Sequence, residues 1–181
     1  MAVGVRQGKT PIFVKDVPGF FVNRCLTPYF LEMTNLLAQG VDPETVDKAM
    51  KSFGFPVGPC NLVDEIGVDV TNHASEFMIK IGDLGDRLIG KPAVLANLVK
   101  NGAAGRKTEK GFYNYPKDAK KGDKRTVSAE FTKIIGEFTG GKKAEVSQED
   151  IQGRLVSRFI NETAFCLQDG IIRAPADGKN Q

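Results

Sequence analysis

Two polar side chains, Asn23 and Arg24, stand at the head of a long apolar-periodic segment, in the run Pro18-Gly19-Phe20-Phe21-Val22-Asn23-Arg24. An amide carries both a donor and an acceptor, so Asn23 could orient a substrate carbonyl or a catalytic base. From spacing alone, a residue satisfying local backbone at a helix start is the commoner outcome. The loop Gly54-Phe55-Pro56-Val57-Gly58-Pro59 is stiff, apolar and turn-rich. It suits a pocket wall, though such loops more often only connect helices. Asp64, Glu65 and Asp69 offer paired carboxylates for acid–base work; carboxylates on an amphipathic helix are usually its wet face. Histidine is a common acid–base catalyst, but His73, beside Asn72 and three residues before Glu76, reads as a surface or half-buried structural residue. Gly105-Arg106-Lys107-Thr108-Glu109-Lys110-Gly111 is a basic loop that could meet phosphates, yet it lacks the glycine spacing and terminal Lys-Ser/Thr of a P-loop. No Gly-x-Gly-x-x-Gly follows a strand, so the chain by itself carries no dinucleotide site.

The composition excludes several functional classes. With 181 residues, 41% of them apolar and 26% charged, the chain is a soluble globular type with room for one domain or a little more. No run approaches the ~18 apolar residues of a membrane span, and Met1 to Thr10 contain no apolar signal-peptide core. The formal charge of +3 is accounted for by Lys117, Lys120, Lys121, Lys124 and Arg125 set against Asp118 and Asp123. A short mixed-charge run after Pro116 is a solvated linker rather than a nucleic-acid patch. Cys25, Cys60 and Cys166 are too far apart for a zinc or disulfide framework, and one histidine excludes a multi-histidine metal site.

The elements that must hold these residues are almost all helical. Pro11 to Lys15 (PIFVK) reads as a short strand, and nothing nearby could pair with it. After the turn Asp16-Val17-Pro18-Gly19, apolar residues at three- and four-residue steps from Val22 to Leu37 predict a helix to about Gln39, kinked or short of one hydrogen bond at Pro28. Asp42-Pro43 opens a second helix as N-cap and first turn. A short helix follows around Leu62 to Ile66, then helices over 70–81, from Lys91-Pro92 to about Asn101, over 128–138, and from Ser147, where Ser147 and Asp150 resemble a capping box. The chain reads as all-α with one orphan N-terminal strand.

A partial internal repeat is also visible. Val22-Asn23-Arg24 leads to Glu32 and Gln39-Gly40-Val41; Val156-Ser157-Arg158 leads to Glu162 and Asp169-Gly170-Ile171. The two copies differ by four residues between Arg and Glu, close to one helical turn. The second copy stops before any counterpart of the Gly54-to-Pro59 loop, so both ends are expected to be cut. The expected organisation is 1–17 as a last strand plus turn, 18–115 as a first helical domain, 116–126 as linker and 127–181 as the truncated start of a second helical repeat.

The strings KDVPGFFVNRCLTPYFLEM, GVDPETVDKAMKSFGFPVGPCNLVDEIGVDV and GRKTEKGFYNY occur in this order and spacing across residues 8 to 115. They resemble the C-terminal domain of 3-hydroxyacyl-CoA dehydrogenases. EVSQEDIQGRLVSRFINETAFCLQDGI resembles the start of the second C-terminal repeat in multifunctional fatty-acid β-oxidation enzymes, above all the α subunits of mitochondrial trifunctional type. The resemblance implies an NAD-binding Rossmann domain upstream, with a His–Glu pair that removes the hydroxyl proton, and PIFVK as that domain's last strand. It implies that Asn23 contacts the catalytic His of the missing domain and the 3-oxygen of an acyl-CoA substrate. Phe55, Pro56, Val57 and Leu62 would wall the acyl pocket, and no role falls to His73. NAD is expected in the parent protein and no cofactor in this segment, which alone should be inactive. Self-association through helical faces is expected, and the mitochondrial matrix as location, with the peroxisome or the bacterial cytoplasm as alternatives. Two rivals are a stand-alone helical scaffold and, more remotely, a relative of 6-phosphogluconate dehydrogenase, for which the VNR segment offers only Arg24.

Overall fold

A five-residue helix, α1 (Ala2–Arg6), opens the chain in the computed structural model, which describes residues 2–82, 84, 87, 88, 90, 93–118 and 125–178. Then come α2 (Val22–Ala38), α3 (Pro43–Phe53), α4 (Pro59–Ile66), α5 (Val68–Ile81), α6 (Ala93–Lys100), a 3-10 turn at Arg106–Thr108, α7 (Ala129–Thr139), α8 (Gln148–Gln168) and the short α9 (Pro175–Gly178). The all-α class predicted from periodicity is the class observed.

The orphan strand is corrected. Residues 11–15 form no strand, and among the described residues the only β pairings are isolated bridges, Gly105 with Lys110, Lys110 with Asn114, and Tyr113 with Val127. The physical reason is the one that made the strand suspect: with no neighbouring strand, its backbone groups have no ladder to join. Lys15 N–H instead donates to the Ile171 carbonyl at 2.9 Å. Val14 and Val17 pack on a small core of Phe21, Cys25, Cys166, Ile171 and Ile172. The helix α1 was not foreseen in the sequence.

Local chemistry fixes the helix starts. Asp42 Oδ1 accepts the Glu44 N–H at 2.8 Å, with Pro43 in the first turn. Ser128 Oγ accepts from Phe131 N at 3.1 Å. Ser147 Oγ accepts from Asp150 N at 3.0 Å and donates to Asp150 Oδ2 at 2.8 Å, so the aspartate closes on the capping hydroxyl itself. Helix α2 continues through Pro28, which lacks an N–H. One residue earlier, Thr27 Oγ1 donates to the Asn23 carbonyl at 2.7 Å.

Helix α2 is the axis of the packing. Its Tyr29, Phe30, Met33, Leu36 and Leu37 enter a core that also takes Val46 and Met50 of α3, Val63 of α4, Leu95 and Leu98 of α6, Ile134 of α7 and Ile151 and Leu155 of α8. Helix α8 lies along α2 and also touches α3. Residues on either side of the charged stretch therefore share one core. Of that stretch, 119–124 fall outside the described residues.

The internal repeat has a spatial counterpart. The first copy's Glu32 is held by Arg154 (Nε to Oε1, 2.7 Å) and Arg158 (Nε to Oε2, 3.5 Å), while the second copy's Glu162 meets Arg24 (3.6 Å). Arg154 precedes Glu162 by eight residues, as Arg24 precedes Glu32. Arg154 is thus the better counterpart of Arg24, and the four-residue offset inferred with Arg158 disappears.

Candidate functional site

Asn23 is the second residue of α2 and is exposed, whereas Arg24 beside it is buried at 2%. The amide opens on a cleft of about 350 Å³ between the 10–14 segment and the turn Gly19–Val22. Phe21 and Val22 also line a second, apolar groove of about 550 Å³, completed by Leu26, Phe55 and Pro56 on one side and by Phe159, Ile160 and Thr163 of α8 on the other. The helix start thus carries a polar group between a cleft and an apolar trough.

The loop residues singled out from the sequence separate. Phe55 is half-buried and stacks on Tyr29, with ring centroids 5.7 Å apart and planes 10° from parallel. Pro56 shares the groove with it. Val57 lines a different cavity of about 560 Å³, together with Lys48, Lys51, Asn61, Tyr113 and Arg125. Leu62 packs on the main core and lines neither the groove nor the cleft beside Asn23.

Sequence reasoning missed two buried carboxylates. Asp64 was assigned to a wet helix face; the structure corrects this, for Asp64 is 1% exposed and accepts from Phe112 N (3.0 Å), Tyr113 N (3.1 Å) and Tyr115 Oη (2.9 Å). Burial pushes its carboxyl up to about 6 despite these donors. Asp47, 4% exposed, accepts from Cys60 N (2.8 Å), Asn61 N (3.2 Å), Asn61 Nδ2 (2.7 Å) and Tyr113 Oη (2.8 Å), and burial raises its carboxyl as well. Burial likewise raises the phenols of Tyr113 and Tyr115. Each carboxylate is saturated by donors from its own fold and serves as a staple. Glycines were the available signal: a Cβ on Gly58 would sit 2.4 Å from Asp47, and one on Gly111 would overlap Asp64 Oδ1.

The basic loop is neutralised rather than poised for phosphate. Arg106 pairs with Glu65 at 2.8 Å, Lys107 with Asp69 at 2.6 Å and Lys110 with Glu130 at 2.6 Å. The lysine partners hold the Asp69 and Glu130 carboxyls below their usual range. Arg125, placed in a solvated linker by its neighbours in sequence, bonds Asn61 Oδ1, meets Glu65 at 3.4 Å and lies 4.8 Å over the Tyr115 ring. His73 is exposed on α5. Among the described residues no three metal-ligating side chains converge, and no helix is long and apolar enough to cross a membrane. The described residues also offer no strand, Gly-rich turn and helix in succession, so they do not fit a dinucleotide.

Fold and site together define a helical domain with an exposed amide at a helix start and no nucleotide loop among the described residues. Residues 19–115 match the 3-hydroxyacyl-CoA dehydrogenase C-terminal domain, and the chain belongs to that family. It is 44% identical over 178 residues to the fatty acid oxidation complex subunit alpha of Vibrio campbellii, an alignment covering 98% of this chain and 24% of the relative. The chain thus spans about a quarter of the length of the curated relatives it matches. In structure it resembles the dehydrogenase part of multifunctional enzyme 1 from C. elegans, with a TM-score of 0.66 and 26% identity over 91% of this chain and 36% of that one. Escherichia coli 3-hydroxybutyryl-CoA dehydrogenase shares the fold, with a TM-score of 0.73 at 23% identity over 97% of this chain and 52% of that one.

Proposed function

We propose that this chain is the helical portion of a bacterial, NAD-dependent L-3-hydroxyacyl-CoA dehydrogenase of fatty-acid oxidation. In this reading Asn23 hydrogen-bonds the 3-oxygen of the substrate and orients the catalytic histidine supplied by the rest of the parent polypeptide. The observation that carries it is the place of Asn23, exposed at the start of α2 where a polar-edged cleft adjoins an apolar groove. An amide there donates to an oxygen that gains negative charge, while the groove takes the apolar tail. Phe55 and Pro56 are the loop residues we assign to the acyl chain; Val57 and Leu62 sit elsewhere. The relatives include Vibrio, Shewanella and Idiomarina proteins, which supports the bacterial cytoplasm and leaves the mitochondrial matrix without support.

The test uses the full-length polypeptide. Asn23→Ala should lower kcat by roughly a hundredfold with KM little changed, as for loss of one oxyanion donor. The 181-residue chain alone should form no NADH from 3-hydroxyacyl-CoA and NAD. Unchanged turnover in Asn23→Ala would sink the assignment and favour a helical scaffold role.

The chain should also self-associate. Val70, Phe77 and Ile81 are exposed large apolar residues at helical spacing on α5, outside the groove assigned to the acyl chain, and a second copy would cover them. Light scattering should find dimers at high concentration; a monomer throughout would refute this.

A further inference from the structure

We infer that Ala164, on α8, is a specificity-determining residue: its small side chain keeps the middle of the apolar groove open and so lets a long acyl chain run to the far end. The inference rests on the reading above, in which Asn23 holds the 3-oxygen and the groove takes the tail.

The groove runs between two antiparallel helices. Thr163 Oγ1 of α8 lies 3.4 Å from Cys25 Sγ of α2, and the Phe159 ring meets the Tyr29 ring edge-on at 6.3 Å. A step forward along α2 is therefore a step back along α8. Val22 and Leu26, one turn apart, form the α2 wall, and the α8 wall descends from Leu167 through Ala164 and Thr163 to Ile160 and Phe159. Phe21 and Val22 border both this groove and the cleft on which Asn23 opens. The tail of a substrate held at Asn23 thus enters beside Val22 and passes Ala164. It meets Ile160 about 6 Å deeper, one turn further along α8. Beyond that the groove is closed by aromatic rings, Phe55 stacking on Tyr29 at 5.7 Å and Phe159 standing against the same ring.

Side-chain size varies along the α8 wall. Leu167 at one end and Ile160 and Phe159 at the other are large, while Thr163 and Ala164 between them are small. The Thr163 hydroxyl is engaged, donating to the Phe159 carbonyl at 2.9 Å, so it brings no unmet polar group into an apolar trough. Ala164 is exposed along the groove, and Ile160, one turn away, is 60% exposed and free to be covered by a chain that passes it. A 3-hydroxybutyryl chain ends one carbon past the oxygen-bearing carbon, before it reaches Ala164. A 3-hydroxyhexadecanoyl chain must run past that residue, and a larger side chain there stands in its way. Helix α8 opens the second, partial repeat, so that repeat supplies the length-measuring wall of a site whose polar group belongs to the first.

The experiment measures kcat and KM of the full-length polypeptide with 3-hydroxybutyryl-CoA and 3-hydroxyhexadecanoyl-CoA. Ala164→Leu exchanges one good helix former for another at an exposed position, so the fold should be kept. KM for the hexadecanoyl substrate should rise about tenfold with kcat little changed, while both constants for the butyryl substrate stay within about twofold. Ser157→Leu adds bulk to an exposed position of α8 outside the groove and should alter neither substrate. Should Ala164→Leu not fold by near-ultraviolet circular dichroism, Ile160→Ala replaces it. Removing that apolar contact should raise KM about fivefold for the long substrate alone. An unchanged long-chain KM in whichever variant folds, an equal loss on both substrates, or the same loss in Ser157→Leu would overturn the inference while leaving the role of Asn23 intact. A silent Asn23→Ala would instead overturn the reading beneath it.

Discussion

Arg154 on α8 donates to Glu32 on α2 at 2.7 Å, and Arg24 on α2 lies 3.6 Å from Glu162 on α8. In both helices the arginine comes eight residues before the glutamate, and each arginine serves the other helix's glutamate. The exchange has the form of an isologous contact folded into one chain, in which residue i meets j and j meets i. Conserving that geometry within one polypeptide requires only that both copies keep the arginine and the glutamate in step.

Glu32→Gln should destabilise the chain by about 1–3 kcal/mol, because it leaves Arg154 and Arg158 facing a neutral amide at a half-buried seam. Urea unfolding measures this. A loss below the error of that measurement would mean that water screens both arginines.

Asp64 gives the folded state an unusual dependence on pH. Its carboxyl, pushed up to about 6, holds a proton more tightly in the folded than in the unfolded chain. Its contribution to stability therefore falls as pH rises from about 4 to about 6 and is level above that, by at most about 3 kcal/mol. Asp47, raised by burial, acts in the same direction. Asp64→Asn should flatten the Asp64 part of this slope. It should also cost about 1–3 kcal/mol, since one amide oxygen cannot accept from Phe112, Tyr113 and Tyr115 together. Parallel slopes for variant and parent in urea titrations at several pH values would refute the assignment.

Gly58→Ala should destabilise through overlap, its backbone angles being ordinary. The new Cβ would stand 2.4 Å from Cβ, Cγ and Oδ1 of Asp47, and Asp47 is tied to four donors. A cost of about 2 kcal/mol, or ~4–8 °C in the thermal midpoint, is expected. An unchanged midpoint by calorimetry would show that the loop shifts freely.

Phe55→Ala tests the groove in the full-length enzyme. KM for a long-chain substrate should rise about tenfold, while that for a short-chain one stays level, since only the long chain reaches the lost ring. Equal effects on both would indicate a general loss of packing against Tyr29.

What could be read from the sequence was mostly local. The caps at Asp42, Ser128 and Ser147 involve partners two or three residues away, so spacing suffices to find the helix starts. Asn23 could be located in its helix by spacing, while a role for it is implied only by the family resemblance. Asp64 could not be seen as buried, because its partners lie 48 to 51 residues on, and its neighbour Glu65 is indeed exposed. The segment PIFVK has strand composition, and composition says nothing about whether an adjoining strand exists to receive it. The basic loop misled in the same way: its charges were legible, and the carboxylates of Glu65, Asp69 and Glu130 that neutralise them lie up to 41 residues away.

The pair of carboxylate staples also bears on how the chain assembles. Asp47 and Asp64 both grip the 112–115 segment, through contacts that span 48 to 66 residues of chain. Closing so long a loop is entropically slow and gains little until the segment has fully seated. Once seated, Tyr113 is bonded to both carboxylates, through its N–H to Asp64 and its hydroxyl to Asp47. The segment then cannot peel away from one without leaving the other. It latches late and opens as a unit, so the amide protons of Phe112 and Tyr113 are expected to share a single opening event and to show the same free energy of opening in hydrogen exchange.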